Sequence, residues 1–264
     1  MSPLLLAPVF FALAFIFSML GLGGGVVYVP LLVLAGLTVK EASVVSLFAI
    51  TLTSASAFTT YLKGGRFDWK LAAVVDPPTD VMAFVGGFYA NLLAESFLNA
   101  VLLAAISLAG VLMIKKVKPR QGTVRRGPFT WVRTFKGEVY AVNVPLMSMF
   151  TGAVGFFVGM VGITGGVFKV PAMVLVCGVP VDIAVGTSSG MVLLTALSAL
   201  LGHLATIGYV DWPLVVSLGL ACLLGGALGA KVALKARRET LSKAYGVFMF
   251  TLAILIAVKS LLWP

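Results

Sequence analysis

Charge is scarce in this chain. Only 11% of its 264 residues are Asp, Glu, Lys or Arg, against 60% hydrophobic residues, where soluble domains carry roughly 25% charged residues. That balance excludes a water-soluble domain. Acidic residues number 9 and histidine 1, and the two cysteines, Cys177 and Cys222, stand apart in apolar segments. They read as small core residues, so the sequence offers no set of metal ligands and no cofactor is expected. Residues 1 to 20 contain no Lys or Arg. The first apolar segment therefore lacks the basic n-region of a signal peptide, and a counterpart at about 144 to 161 argues that it belongs to the fold.

Long hydrophobic runs are what the chain has instead. They lie at about residues 4 to 20, 26 to 37, 42 to 62, 69 to 91, 97 to 114, 144 to 161, 167 to 178, 183 to 207, 213 to 234 and 244 to 262. Most reach the roughly 17 to 25 residues with which a helix crosses a bilayer core of about 30 Å. The two that start at Val26 and Val167 are too short to cross alone. The expected fold is an all-α polytopic integral membrane protein in a plasma membrane, bacterial inner membrane in type, with lipid as its solvent.

The short runs follow a repeated motif. GLGGGVVYVP at Gly21 to Pro30 returns about 141 residues later as GITGGVFKVP at Gly162 to Pro171. Reading on with small gaps, Pro30 pairs with Pro171, Gly36 with Gly178, Ser46 with Ser188, Asp68-Trp69 with Asp211-Trp212, and Gly86 with Gly229. A period this long is far outside solenoid arrays. It implies two fused halves, a pattern that in many transporters puts the substrate site at the repeat interface. The organisation expected is a first membrane repeat over 1 to 114, a basic linker over 115 to 143 and a second repeat over 144 to 264.

Cation placement gives the orientation. The linker carries Lys115, Lys116, Lys118, Arg120, Arg125, Arg126, Arg133 and Lys136 against Glu138 alone, so the positive-inside rule makes it cytoplasmic. It reads as a solvated loop facing lipid headgroups, not as a nucleic-acid site. With five crossings per half, the loops with Lys63, Arg66 and Lys70 and with Lys235, Arg237, Arg238 and Lys243 also fall inside, and those around Glu95 and Asp211 fall outside. If each glycine motif is instead a hairpin tip that enters and leaves on one side, three crossings remain and the same loops stay inside. Four crossings would put the cations of 235 to 243 outside. An odd number per half means inverted repeats, with both termini outside.

The glycines suggest a site. An interrupted helix frees backbone groups that only protein or a water-filled cavity can satisfy, and Gly23, Gly24, Gly25, Gly165 and Gly166 allow positive φ and close approach to a ligand. Helix N-termini starting there would aim N–H groups at an anion. The competing reading is close helix packing, for which small residues are used generally. A G-x-G-x-x-G nucleotide fingerprint is excluded, since Val26 stands where the last glycine belongs and no strand precedes it.

These residues carry a family resemblance. The duplicated glycine-proline element, the Ser/Thr-bearing helix after it, the basic central loop and the total length resemble the TauE/SafE family of sulfite and organosulfonate exporters, over nearly the whole chain. The resemblance implies ion-coupled secondary transport, by alternating access, of small sulfur-containing anions such as sulfite, sulfoacetate or thiosulfate. Two departures from the family pattern are Thr164 in place of the central glycine of the second motif, and Asp76 and Asp80 in a segment that is usually uncharged in this family.

Polar residues at membrane depth extend the candidate site. Lys169 lies inside a short apolar segment, where a charge costs roughly 2.5 to 3.5 kcal/mol to insert. It either supplies the counter-charge for an oxoanion or pairs with a carboxylate or snorkels. Tyr28 occupies the matching place in the first half. Ser46 and Ser188 match across the duplication; their hydroxyls either contact a sulfonate or bond between helices. The substrate-binding candidates are thus Gly23, Gly24, Gly25, Ser46, Thr164, Gly165, Gly166, Lys169 and Ser188. Asp76 and Asp80, in VVDPPTDVM, are coupling candidates: spaced four apart they can share a helix face, although Pro77 and Pro78 break the ladder there. The alternative is that both reach water or Lys/Arg partners without coupling. His203 is either a proton carrier or structural.

Two other functions compete. Gly186-Thr187-Ser188-Ser189-Gly190 matches G-x-S-x-G, the elbow of serine hydrolases, but that motif needs a strand-to-helix turn and here the string lies in an apolar helical run. A membrane scaffold without transport is the third reading. A homodimer is compatible with the sequence.

Overall fold

In the computed structural model, which describes residues 3–114, 129–237 and residue 240, the apolar runs are helices. The first half contains α1 (Pro3–Leu20), α2 (Gly25–Leu34), α3 (Val39–Lys63), α4 (Trp69–Val75), α5 (Pro77–Ala90) and α6 (Glu95–Ile114). The second contains α7 (Val144–Met160), α8 (Gly166–Leu175), α9 (Val181–Leu204) and α10 (Trp212–Lys235), with strands β1 (Thr130–Phe135) and β2 (Glu138–Asn143) between the halves. The apolar run at 244 to 262 and the cations at 115 to 126, 238 and 243 lie outside the described residues. The chain is an all-α polytopic membrane protein. Among the described residues α3, α9 and α10 are long and apolar enough to cross a bilayer, and α4 with α5 form a fourth span bent by 49°.

Local chemistry sets the helix boundaries. Thr38 caps α3 with a capping box completed by Glu41, which satisfies the otherwise unpaired first-turn N–H groups. Asp68 and Asp211, paired by the duplication, do the same work in both halves: Asp68 accepts from the N–H groups of Lys70 and Leu71, and Asp211 from that of Leu214. Asp76 ends α4 and begins α5. The two prolines after it remove backbone donors there, and the first half bends where α10 runs straight through.

Packing repeats when the halves are exchanged. α1 lies along α10 as α7 lies along α5; α3 packs on α10 as α9 packs on α5; α2 packs on α3 as α8 packs on α9, and α3 meets α9 at the centre. Glycines permit the close approaches, with Gly225 and Gly229 against the Phe11 and Phe15 carbonyls, and Gly155 and Gly159 against Thr79 and Ala83. Both sets of contacts run in the same chain direction, so α1 is parallel to α10 and α7 to α5.

That direction settles what the glycine motifs are. α7 starts at Asn143, where β2 ends, and the Cys177 carbonyl just beyond α8 accepts from the Ala141 N–H of the same strand at 3.2 Å. The α7–α8 pair therefore leaves by the end of the bundle at which it entered. Leu37, just beyond α2, lines a cavity with Asp211 and Leu214 at the start of α10, to which α1 runs parallel. Each motif is the tip of a hairpin.

The bundle has two unlike ends. At one, Arg66 donates to the Ala233 and Leu234 carbonyls at 3.1 and 2.9 Å, Arg133 pairs with Asp68 and Lys136 lies beside Gly65. At the other, the Glu95 carboxylate accepts from the Val39 N–H, Lys40 donates to the Asn91 carbonyl at 3.0 Å, and Glu41, Tyr209 and Asp211 border the cavity.

The described part of the linker, 129 to 143, is more ordered than a solvated loop. Its second part is an antiparallel hairpin in which Phe135 pairs with Glu138 across a two-residue turn. Lys136 and Gly137 have φ of 52° and 81°, the left-handed pair a type I′ turn needs. Arg133 and Tyr140 sit opposite one another in register, and both reach the buried Asp68 carboxylate. The basic count alone points to a headgroup-facing loop; the alternation in TWVRTF and EVYAVN makes it a strand pair instead.

Candidate functional site

The two hairpin tips meet back to back in the core. A methyl group on Gly25 would come 2.9 Å from Ile163 Cα, and one on Gly166 would come 2.9 Å from the Leu22 carbonyl oxygen, so each motif packs on the backbone of the other. Matched serines stitch the same seam. The Ser46 hydroxyl donates to the Gly162 carbonyl at 2.9 Å, and the Ser188 hydroxyl donates to the Gly21 carbonyl at 2.8 Å. The hydroxyl protons of both serines are thereby committed across the halves. Thr164, fully buried, donates a long 3.5 Å bond to the Leu22 carbonyl.

Positive φ is needed at fewer motif glycines than the sequence suggests. Gly23 and Gly24 have φ of 79° and 98°, where an L side chain is strained. Gly165 is at −67°, and neither Gly25 nor Gly166 has positive φ. These three serve close approach.

Lys169 is the charge in this core. It occupies the first turn of α8, its N–H donating to the Gly165 carbonyl at 2.8 Å, and it is fully buried. It does not snorkel. Its ammonium pairs with the Asp76 carboxylate and donates to Thr195 Oγ1 at 2.9 Å. Thr195, on α9, faces Asp80 Oδ1 at 2.8 Å and the Met191 carbonyl at 2.9 Å. Four residues from three elements thus form one network, set at the bend between α4 and α5. Burying a charge is tolerable only when it is paired and hydrogen-bonded, and this cluster meets that condition for Lys169.

Position by position, the other half holds uncharged groups. Tyr28 stands where Lys169 stands, stacked on Phe10 with ring centroids 4.6 Å apart, and Cys222 Sγ donates to its hydroxyl at 3.7 Å. Thr53 matches Thr195, and both donate back to the carbonyl four residues earlier, at 2.8 and 2.9 Å. The site is one-sided.

Comparison with known proteins bears on this arrangement. The profile of the family described as Sulfite exporter TauE/SafE matches residues 6–256. The chain belongs to the TauE/SafE family. It is 27% identical over 239 residues to "Probable membrane transporter protein YunE" of Bacillus subtilis (strain 168), covering 85% of this chain and 86% of that one. A "Probable membrane transporter protein" of Haemophilus influenzae is 23% identical over 265 residues, covering 93% and 94%. One from Methanocaldococcus jannaschii, MJ0441, is 25% identical over 257 residues, covering 87% of each. No solved structure matches the chain. The protein is a multi-pass membrane protein of a transporter family.

Within the TauE/SafE frame, the structure joins candidates that the sequence treats separately. Lys169, Asp76 and Asp80 come together; Ser46, Ser188, Gly25, Gly166 and Thr164 form the adjoining seam; Gly23 and Gly24 form the first tip and Gly165 the second. Thr195 is the member that sequence reasoning missed. Its signal was available as the duplicate of Thr53, at the same offset that matches Ser46 with Ser188. His203 is buried away from the cluster, with Nε2–H donating to the Gly159 carbonyl at 2.9 Å. Ser188 and His203 lie fifteen residues apart on α9, about 22 Å at 1.5 Å per residue, so His203 does not reach the serine as a hydrolase base would. Among the described residues no group of three or more His, Cys, Asp or Glu is placed to hold a metal ion. A separate cavity of about 150 Å³, lined by Leu37, Glu41, Val45, Tyr209, Asp211 and Leu214, opens at the less basic end.

Proposed function

We propose that this protein is a secondary transporter, working as an exporter, of small sulfur-containing anions such as sulfite, thiosulfate or sulfoacetate. The reading is carried by one observation: a fully buried ammonium, Lys169, on the first turn of a hairpin-tip helix in a TauE/SafE family member. Lys169 is the electrostatic partner of the anion, and the N-terminal turn of α8 adds the favourable end of its dipole. Gly23, Gly24, Gly25, Thr164, Gly165 and Gly166 line the path, with Ser46 and Ser188 closing the seam between halves. Transport proceeds by alternating access, the halves being inverted repeats with the basic linker in the cytoplasm of a plasma membrane. Support for the inversion comes from matched segments at opposite ends: the segment after α2 lies by Asp211, and its counterpart after α8 lies by the linker hairpin.

Counterflow in proteoliposomes tests this. Vesicles preloaded with unlabelled sulfite, thiosulfate or sulfoacetate should take up the labelled anion saturably, while chloride-loaded vesicles should not. No saturable exchange with any of the three would dismiss the reading.

A further inference from the structure

Around Lys169 the charges do not balance in the obvious way. One ammonium faces two carboxyl groups, Asp76 directly and Asp80 through Thr195. Among the described residues Lys169 is the one cation that an ion pair or hydrogen bond joins to the cluster. α7 contributes only the Thr151 hydroxyl, which donates to the Val75 carbonyl. α9 adds Thr195, with Asp182 and His203 at its two ends. The described part of α6 carries Glu95, which is engaged with Val39 at the far end. With both carboxyls ionised, the cluster would carry one more negative charge than cations, with Asp76 buried and Asp80 half-buried, a state that partial burial disfavours.

Two details show where the balance is kept. Thr195 Oγ1 accepts from Lys169 and has one proton of its own, yet it lies 2.8 Å from Asp80 Oδ1 and 2.9 Å from the Met191 carbonyl oxygen, so both of those bonds form together when Asp80 carries a proton. Asp76 Oδ2 finds no protein donor among the described residues, although the residue is almost fully buried. The resting cluster therefore holds one ammonium, the Asp76 carboxylate paired with it and a protonated Asp80 on Thr195, and it is neutral. An anion arriving at Lys169 adds a negative charge to a site with no spare cation.

We propose that Asp76 and the transported anion are alternative partners of Lys169, exchanged by a proton, so that the protein is a one-proton, one-anion symporter, electroneutral for a monovalent anion. This rests on the transport reading above, export running when the outward gradient of the anion exceeds the inward gradient of protons. In the exchange the Asp76–Lys169 ion pair opens, an Asp76 oxygen gains an O–H bond with a proton from water, and the ammonium pairs with the anion; no electrons move. One proton accompanies each anion, because Asp76 is the one carboxylate of the cluster left to protonate, so a monovalent anion crosses without net charge and a divalent one carries one negative charge. The bend at Asp76 gives the carboxyl a place to swing, and the matching cluster of Tyr28, Thr53 and Cys222 holds no carboxyl, so among the described residues there is one such site.

The test uses the full chain in proteoliposomes with methanesulfonate and thiosulfate, which stay ionised near neutral pH, so that any proton moved rides on the protein. With no membrane potential, a one-unit pH step should accumulate either anion about tenfold. A potassium diffusion potential should leave methanesulfonate accumulation unchanged and shift that of thiosulfate. Flux that follows the potential and ignores pH overturns the proton coupling and leaves the transport reading standing. No flux with these probes, sulfite or sulfoacetate removes the transport reading and this proposal with it. The double variant Asp76→Asn/Asp80→Asn should lose pH-driven accumulation and turn electrogenic; retained accumulation would show that other groups carry the proton. Should that variant not fold, the wild-type gradient arms decide.

Discussion

Replacing Asp68 with Asn separates two jobs that one buried carboxylate performs. Asp68 Oδ1 caps α4, accepting from the N–H groups of Lys70 and Leu71 at 2.9 and 3.3 Å, and Asn preserves that acceptor. The charge is lost, and with it the two-pronged pair to Arg133 at 2.9 and 3.2 Å, while Tyr140 keeps a weaker acceptor. Breaking a fully buried pair costs about 3–5 kcal/mol. Arg133 retains 22% side-chain exposure, so water offsets part of the loss and the range for a charged hydrogen bond, about 1.5–3 kcal/mol, applies. Hydrogen exchange of the amides over 130–143 reads this directly, as roughly ten- to 150-fold faster opening. Asp68→Ala adds loss of the cap, about 1 kcal/mol more. A double-mutant cycle with Arg133→Met isolates the pair; additive effects, with no coupling energy, would refute the clamp.

The same pair gives a pH dependence with a definite sign. Burial by itself raises the Asp68 carboxyl, but the hydrogen bonds from Arg133, Tyr140 and the Leu71 and Lys70 amides outweigh it and hold the group below the usual carboxylate range. A carboxyl lowered on folding stabilises fully above its ordinary value, near 3.9, and stops doing so as pH falls through the folded value. Hairpin opening should therefore cost the same from neutral pH down to about 5 and become easier below about 4. The hairpin joins the linker to the start of the bent span that carries Asp76, so its loosening should also slow transport.

The remaining expectations concern the seam and the orientation. Ser46→Ala and Ser188→Ala each remove one bond between halves and should each destabilise by about 0.6–1.7 kcal/mol in thermal unfolding; a large effect from only one would break the equivalence of the halves. Gly166→Ala forces a methyl group to 2.9 Å from the Leu22 carbonyl oxygen and 2.8 Å from Val192 Cγ2, whereas one at Gly208 meets nothing within 4 Å. The first variant should lose monodisperse protein and the second should melt like the parent; equal behaviour would mean that the tips do not pack as described. Cysteines introduced at Arg133 or Lys136 should label from the cytoplasm and ones at Glu95 or Gly208 from outside, and labelling of Gly208 from inside would remove the inverted-repeat arrangement.

How much was legible beforehand divides by sequence range. Local patterns gave the helices, the short segments after the motifs, the break at Pro77 and Pro78 and the matched serines, because each depends on neighbours a few residues away. Whether a motif breaks a helix or tips a hairpin depends on which end of the bundle Cys177 reaches, a contact with Ala141 that no local pattern encodes. Lys169 and Asp76 were each visible as misplaced charges. Their pairing spans 93 positions, and only the fold brings α8 to the bend of the first half. The linker hairpin was within reach, since Lys136-Gly137 between alternating runs is a turn signal, but the weight of cations in the same segment points first to a solvated loop.

Lys169 is the most direct point at which to challenge the account. Labelled-sulfite counterflow should be measured in proteoliposomes holding the parent protein or Lys169→Met, with monodispersity checked for both. A charge-assisted hydrogen bond contributes about 1.5–3 kcal/mol, so the half-saturating concentration should rise roughly ten- to 150-fold in the variant. Saturable counterflow with unchanged affinity in Lys169→Met would contradict it, leaving Lys169 as no more than the internal counter-ion of Asp76.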